Sequence, residues 1–129
     1  MHTLPIQIRF NDVDMMGHVN NAVIMEYFDL GKSAFLTSVG LPPEDGDFTV
    51  MIVHLEVDFV GQIHAHDLIE VQTDVVRFGT KSLTVEQKVV NQKTCQTYAV
   101  CHTVMSGYLR SEGRSAVIPD DVKARIAAN

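Results

Sequence analysis

The sequence predicts an α+β fold, in which an antiparallel sheet of about five strands wraps around one long, mostly apolar helix. Between Ala22 and Val39 apolar side chains recur at steps of three and four residues, which is the period of a helix. Between Val53 and Tyr108 they recur at every second position, in segments separated by short polar turns, which is typical of antiparallel strands. The length of 129 residues suits one domain spanning residues 1–129.

A short strand is expected before the helix, and an asparagine is expected to cap the helix. Ile6, Ile8 and Phe10 alternate with polar residues, as in a half-buried strand. Asn20 or Asn21 can cap the helix, because a side-chain oxygen there can accept an exposed N–H group of the first turn.

The expected helix ends are marked by glycine and proline. Gly40 suits the left-handed conformation that often terminates a helix, and Pro42-Pro43 follow it. A second, short helix is predicted from Pro119 to Ala128, with the proline at its start and two aspartates in its first turn.

The strands after the helix are predicted to be joined by turns at Gly79-Thr80-Lys81 and near Asn91-Gln92-Lys93. A single sheet around a single helix cannot cover both of its faces and both of its edges, so we expect a second copy of the chain to do so. The apolar positions that mark the strands are Val53, Leu55, Val57 and Phe59, then Ile69, Val71, Thr73 and Val75, then Leu83, Val85 and Val89, and finally Tyr98, Val100, Val104 and Tyr108.

Composition and charge exclude several classes of function. The formal net charge of −6 is unsuited to non-specific nucleic-acid binding, which needs a basic surface. No run approaches the roughly 20 apolar residues of a membrane span, and Met1 to Arg9 lacks the apolar core of a signal peptide. Cys95 and Cys101 match no zinc or redox spacing, and we expect two buried thiols. The protein is therefore expected to be cytoplasmic, with no nucleic-acid or membrane partner.

The loop between the first strand and the helix concentrates the residues that can perform chemistry. Asp12 and Asp14 precede the helix, whose first turn offers unpaired N–H groups and a partial positive charge. A carbonyl held there would face both Asp14 and an oxyanion-type donor. An Asp-x-Asp loop before a helix is also common as turn and capping chemistry, and His18 could equally be a packing residue.

This loop resembles the hot-dog-fold acyl-CoA thioesterases, specifically the 4-hydroxybenzoyl-CoA thioesterase-like branch. That branch carries a pattern close to R-aromatic-x-D-x-D-x-x-G-H-V-N-N, followed by a helix. The resemblance spans roughly residues 6 to 109. The matching positions in the loop are Arg9, Phe10, Asp12, Asp14, Gly17, His18, Val19, Asn20 and Asn21. Further matches lie at Gly40-Leu41-Pro42-Pro43, Val57-Asp58-Phe59, Asp67 to Val71 and Arg77 to Leu83.

The resemblance implies a hot-dog fold and hydrolysis of an acyl-CoA thioester, with CoA as part of the substrate and no cofactor. It implies that Asp14 is catalytic, as a nucleophile or as the base that activates water. A backbone N–H group near Asn21 would polarise the thioester carbonyl. The remaining predicted substrate contacts in and beyond the loop are Gly17, His18, Asn20 and Phe59.

The CoA phosphates require cations or backbone donors, and the Gly79-Thr80-Lys81-Ser82 turn offers both. The resemblance places this turn beside the nucleotide–pantetheine tunnel at a subunit interface. An ordinary polar hairpin turn is the alternative reading. Arg77, Arg110 and Lys32 are further candidate cations. By the same resemblance we expect a homodimer at least, and a tetramer is the favoured assembly.

The predicted acyl slot consists of apolar residues from the loop and the helix: Met15, Met16, Ile24 and Phe28. Ile24 departs from the family pattern, which often has tyrosine there, so a relative's acyl specificity does not transfer. A second branch of hot-dog thioesterases uses a helix carboxylate. Because Asp14 is present, Glu26 is assigned a secondary role.

Several alternatives stay open. His64 and His66 could present a metal from one strand face, but no third ligand has a persuasive spacing and no metal is predicted. An acyl-carrier-protein thioesterase, a hot-dog dehydratase using His18, and a non-catalytic acyl-binding protein are the competing functions.

Overall fold

A long helix lies against one face of an antiparallel sheet. In the computed structural model, which describes residues 1–42 and 46–129, the helices are α1 (Asn21–Ser38) and α2 (Asp120–Ala127). The strands are β1 (His2–Ile6), β2 (Phe48–Phe59), β3 (Ile69–Phe78), β4 (Ser82–Asn91), β5 (Thr97–Leu109) and β6 (Arg114–Ser115). Pro43 of the predicted Pro42-Pro43 stop lies outside the described residues.

The main strands run in the order β1-β3-β4-β5-β2, and β6 pairs with β5. Every pairing among the described strands is antiparallel. The register shifts between Ile52 and His54 in β2 and between Val75 and Arg77 in β3. Such bulges bend a strand and increase its twist, which helps the sheet to curve around the helix. The predicted sheet, central helix and connecting turns are confirmed.

The ends of the helices match the expectations closely. Asn20 caps the start of α1. Gly40, two residues after the last residue of the helix, adopts a φ of +81°. Pro119 precedes α2, with Asp120 and Asp121 in its first turn. Neither helix of the described residues combines the length and apolar character needed to cross a membrane.

The core between helix and sheet consists of two clusters that follow one another along α1. Near the helix start, Tyr27 and Phe28 pack with the apolar ends of β3, β4 and β5. Near the helix end, Phe35 and Leu36 pack with the opposite ends of β4 and β5 and with α2. Gly31 lies between these two regions, where the backbone of α1 comes closest to Val71 of β3.

The first strand lies earlier in the chain than predicted. β1 covers His2–Ile6, whereas Phe10 begins a 3₁₀ turn, Phe10–Asp12, and its side chain is 95% exposed. The Asp12 carboxylate accepts the N–H group of Arg9 at 2.9 Å, and this bond curls the chain away from the sheet. The alternation of apolar and polar residues that predicted the strand therefore runs on to Phe10, although β1 ends at Ile6.

The faces of β2 and β5 also differ from the predicted pattern. Val53 was predicted to share a face of β2 with Leu55, Val57 and Phe59. Because of the bulge, Ile52 shares that face and Val53 does not. Of the β5 residues predicted to mark the apolar face, Tyr98 is buried. The others, Val100, Val104 and Tyr108, are half-buried on the outer face. Apolar residues on both faces of β5 make alternation ambiguous. The side chains of β5 that are buried toward the helix are Ala99, Cys101, Thr103 and Met105.

The two cysteines are in different environments. Cys101 is buried, whereas Cys95 is exposed in the turn before β5, with a φ of 62°. Both thiols are free. The expectation of two buried thiols was wrong for Cys95, because that residue precedes the strand.

β2 forms an edge of the sheet and exposes an apolar surface. The helix makes its main contacts with β1, β3 and β4, and most residues of β2 remain exposed, although Val50 is buried. A long, apolar edge strand is a template for pairing with another chain. The exposed apolar side chains of β2 include Met51, Ile52, Val53, Leu55 and Phe59.

We predict that Gly31→Ala destabilises the fold, although alanine favours helices by about 1 kcal/mol over glycine. A Cβ atom at position 31 would lie 2.5 Å from Cγ1 of the buried Val71. Overpacking of this kind typically costs about 1–3 kcal/mol. Urea unfolding should show a lower free energy of unfolding for Gly31→Ala. The Gly31→Ala/Val71→Ala double variant should lose less than the sum of the single losses, because Val71→Ala removes the clash. Stabilisation by Gly31→Ala would contradict the close approach.

Candidate active site

The loop between β1 and α1 is a small hairpin that presents Asp14. Val13 and Val19 pair as an isolated antiparallel bridge. The Asp14 N–H group donates to the His18 carbonyl at 2.9 Å, and Gly17 N–H donates to the Asp14 carbonyl at 3.0 Å. Gly17 has a φ of +83°, as expected for the glycine of a three-residue hairpin loop. The sequence Asp14-Met15-Met16-Gly17 therefore encodes the turn itself.

Asp14 is exposed, and hydrogen bonds to one of its two carboxylate oxygens hold the side chain in place. Its Oδ1 accepts the N–H groups of Met16 at 2.9 Å and His18 at 3.2 Å. Among the described residues, Oδ2 has no hydrogen-bond donor. One oxygen thus orients the side chain, while the other is available to a water molecule or a substrate.

The start of α1 leaves one backbone donor available. Asn20 Oδ1 accepts Ala22 N–H at 2.8 Å, and the Asn20 carbonyl accepts Val23 N–H at 2.9 Å and Ile24 N–H at 3.1 Å. The Asn21 N–H group has no acceptor among the described residues. It is an exposed donor at the positive end of an 18-residue helix, which suits a developing negative charge.

Asp14 lies on the boundary between two pockets. The first, of about 300 Å³, brings Asp14 together with Asn21, and also includes His18 and Asn20. The segment after β2 forms its other wall, at Gly61–Ile63. The second pocket, of about 520 Å³, extends from Asp14 to Ile8, Phe10, Val13 and His66. Asp14, whose Oδ2 has no donor among the described residues, and Asn21, whose N–H has no acceptor there, therefore both line one polar pocket, with a second pocket beside it.

Asp12 is a buried anchor for the loop. Only 2% of it is exposed, and it lines neither of these two pockets. Its Oδ2 accepts the Tyr27 hydroxyl at 2.6 Å and the Arg9 N–H group, while Oδ1 lies 3.2 Å from the Arg9 guanidinium. Burial alone would raise the pKa of Asp12, but the Tyr27 and Arg9 hydrogen bonds and the Arg9 charge lower it below its ordinary value of 3.8. Burial and the bond to Asp12 raise the pKa of Tyr27.

The predicted loop residues are brought together, whereas the other predicted contacts lie apart from them. Gly17, His18 and Asn20 surround Asp14 as described. Phe59 is partly exposed at the end of β2 and lines neither pocket.

The Gly79–Ser82 turn closes the β3–β4 hairpin at the far end of the sheet. Gly79 N–H donates to the Ser82 carbonyl at 2.8 Å, and the Lys81 carbonyl accepts Gly107 N–H at 2.7 Å. The loop side of the sheet lies at Ile69, and the 10 residues of β3 span about 30 Å. Within one chain this turn is therefore remote from Asp14.

The predicted acyl-slot residues separate into two groups. Met15 and Met16 are exposed at the tip of the loop. Phe28 is fully buried in the core and lies outside both pockets, so its assignment to the slot was wrong. Ile24 is mostly buried but lines the first pocket.

The remaining candidate side chains lie elsewhere. Glu26 is exposed, 3.8 Å from Arg9, in a groove between β1 and α1 that Asp14 does not line. Lys32 is buried beside Thr103 and Asp29. Arg77 is exposed near the end of β3, and Arg110 donates to the Gly46 carbonyl at 2.8 Å.

The histidine pair occupies a loop, not a strand face. His64 lies against His18, with ring centroids 5.0 Å apart and an interplanar angle of 82°, while His66 lines the second pocket. No group of three His, Cys, Asp or Glu side chains in the described part of the chain is arranged to hold a metal ion. Sequence reasoning missed the Gly61–Ile63 wall, where the Ile63 carbonyl accepts Val19 N–H at 2.8 Å. Only the glycine signals a close backbone approach there.

Comparison with known proteins gives consistent matches. The family model of the Thioesterase-like superfamily matches residues 8–126. The Bacillus subtilis (strain 168) protein YsmA, described as uncharacterized, is 22% identical over 120 residues, which cover 92% of this chain and 80% of that protein.

Solved structures show the same fold. The PA5185 protein of Pseudomonas aeruginosa strain PAO1 superimposes with a TM-score of 0.89 and 26% identity, covering 99% of this chain and 90% of that one. A thioesterase from Thermus thermophilus, complexed with coenzyme A and Zn, gives a TM-score of 0.83 and 29% identity, covering 98% and 91% of the two chains. These matches confirm the hot-dog fold and the expected resemblance to thioesterases.

We predict that Asp12 contributes stability that is lost in acid. Its folded pKa lies below the ordinary 3.8, so its contribution is fully present above that value and disappears as the pH falls through the lower folded pKa. Asp12→Asn should lower the free energy of unfolding by about 2 kcal/mol at pH 7 and by clearly less near pH 2. Urea unfolding at both pH values measures the difference. Asp74→Asn, on the exposed face of β3, controls for the loss of a surface charge. An equal deficit at both pH values would contradict the proposed ionised state of Asp12.

Proposed function

Because the chain belongs to the Thioesterase-like superfamily, we propose that it is a thioester hydrolase that acts on acyl-CoA at Asp14 and the start of α1. The observation that supports this most strongly is the pairing of two free groups in one pocket. Asp14 and Asn21 both line that pocket, and the groups without partners among the described residues are Oδ2 of Asp14 and the N–H group of Asn21. The motif around them favours the 4-hydroxybenzoyl-CoA thioesterase-like branch as the subtype.

In the proposed reaction the thioester carbonyl oxygen accepts the Asn21 N–H group. As the carbonyl carbon is attacked, negative charge develops on that oxygen, and the donor and the helix dipole stabilise it. Asp14 acts in one of two ways. As a base it removes a proton from the attacking water, and as a nucleophile it forms a mixed anhydride that water then hydrolyses. In both routes the C–S bond breaks, the CoA thiolate leaves and takes up a proton, and a free acid forms.

CoA as the leaving group is supported by a relative and by the chemistry of the hairpin. The Thermus thermophilus thioesterase, 29% identical, was solved with coenzyme A. In this chain, the exposed Lys81 and the polar residues Thr80 and Ser82 next to it suit a phosphate group. CoA would be consumed as substrate, so the proposal requires no cofactor.

A second copy of the chain could place its Gly79–Ser82 hairpin near the catalytic loop of the first. The hairpin and Asp14 lie at opposite ends of one sheet, so one chain cannot place both against one CoA molecule. The uncovered apolar side of β2 and the exposed Met15 and Met16 provide surfaces that a second copy would bury. We therefore propose a homodimer formed through β2, which would assemble further into a tetramer. A cytoplasmic location is proposed, since the free, exposed Cys95 suits a reducing compartment.

We predict that Asp14→Asn abolishes most thioester hydrolysis. The amide keeps the size of the side chain but can neither attack the carbonyl nor accept a proton from water, so kcat should fall by about a hundredfold or more. Release of free thiol from short, long and aromatic acyl-CoAs measures the rate and identifies the acyl class.

Asp74→Asn, on the exposed face of β3 and outside both pockets beside Asp14, is the matched control and should retain wild-type rates. Equal rates for wild type and Asp14→Asn would show that the catalytic assignment is wrong. Absence of hydrolysis with every acyl-CoA would contradict the CoA substrate. Activity on an acyl-carrier-protein thioester would then favour the carrier protein, and tight binding without turnover would favour a binding protein.

Lys81→Ala should raise KM for acyl-CoA by about three- to tenfold and leave kcat nearly unchanged, because a phosphate contact binds ground state and transition state alike. The effect should shrink at high salt. Hydrolysis of the matching acyl-N-acetylcysteamine, which carries no phosphate, should be unaffected. Lys88→Ala, on the outer face of β4, is the control. An equal defect with the truncated substrate would contradict phosphate binding by Lys81.

A further inference from the structure

We propose that Asp12 and Tyr27 are positioning residues for the hydrolytic site, because their buried hydrogen bond fixes Asp14 relative to the Asn21 N–H group. This inference rests on the proposed function. Neither residue touches either pocket beside Asp14, so both would act through the loop.

The bond joins the loop to the body of the helix. Tyr27 lies almost two turns into α1 and is 2% exposed, and its hydroxyl donates to Asp12 Oδ2 at 2.6 Å. A short bond from a buried hydroxyl to a carboxylate is among the stronger neutral-to-ionic hydrogen bonds. The other side-chain partner, the guanidinium of Arg9, is largely exposed, so solvent screens its attraction for Asp12. Tyr27 is therefore the more rigid of the two anchors.

Asp12 connects this anchor to both halves of the site. Its backbone carbonyl accepts Asn20 N–H at 3.0 Å, immediately before the Asn21 donor. Two residues further along the chain from Asp12, Asp14 begins the turn that returns to His18, and the Val13–Val19 bridge lies between them. A shift of Asp12 would therefore move the carboxylate and the oxyanion donor relative to one another.

Loss of the Tyr27 hydroxyl is expected to change the geometry of the loop that carries Asp14. Tyr27→Phe removes the hydroxyl without adding a buried polar group, and it leaves Asp12 Oδ2 with the Arg9 N–H group alone. Without the Tyr27 hydrogen bond, the buried position of Asp12 against α1 is less strongly stabilised. A misplacement of about 1 Å in a catalytic site can cost as much as a hundredfold in rate. Substrate binding, which depends on the pocket walls and on the CoA contacts, should change far less.

Steady-state kinetics of Tyr27→Phe test the proposal. We expect kcat to fall by about ten- to a hundredfold, with KM within about twofold of wild type. Val85→Ala is the matched control for lost stability, since Val85 is buried at the other end of the core. At a temperature where both variants are folded, Val85→Ala should keep the wild-type kcat. If the two variants lose kcat equally, or if Tyr27→Phe changes only KM, the positioning role is wrong.

Hydrogen exchange of backbone amides provides a readout that does not depend on turnover. The Asp14 and Asn20 amides bond across the base of the loop, to His18 and to Asp12. They should exchange at least about tenfold faster in Tyr27→Phe than in Val85→Ala, because local opening is controlled by the contacts that hold a segment down. Unchanged exchange of both amides would overturn the proposal. If wild type hydrolyses no thioester, the proposed function fails, while this exchange result still tests the anchor.

Discussion

The structure of the site depends on the hydrogen bonds that Asn20 makes where the loop meets α1. Its N–H group donates to Asp12, its side-chain oxygen caps Ala22, and its carbonyl accepts the next two amides of the helix. These bonds use every early donor of the helix except that of Asn21. The same residue that starts the helix therefore determines which N–H group remains available at the pocket, and it fixes the loop that carries Asp14.

Much of this arrangement could be predicted from the sequence, because it is local. The helical period, the asparagine cap, the glycine turn and the loop aspartate all lie within a few residues of their partners. The strand faces were harder to predict, since β5 is apolar on both sides and a bulge in β2 changes its alternation. The end of β1 was misplaced because Arg9 N–H donates to the Asp12 carboxylate, and the chain turns away from the sheet before Phe10.

Features that join distant positions gave little signal in the sequence. Asp12 and Tyr27 are 15 residues apart and meet only after α1 folds back against the loop. The wall at Gly61–Ile63 comes from beyond β2, and the separation of the Gly79–Ser82 turn from Asp14 is a property of the whole sheet.

The proposed reaction requires the Asn21 N–H group to donate a hydrogen bond to the oxygen of the reacting carbonyl. A crystal structure of Asp14→Asn with an intact acyl-CoA tests it most directly, because the thioester should remain uncleaved. The account predicts that the carbonyl oxygen lies about 2.7–3.1 Å from the Asn21 nitrogen, with the carbonyl carbon facing residue 14. A bound thioester whose oxygen points away from α1, with water on the Asn21 N–H group, would contradict it.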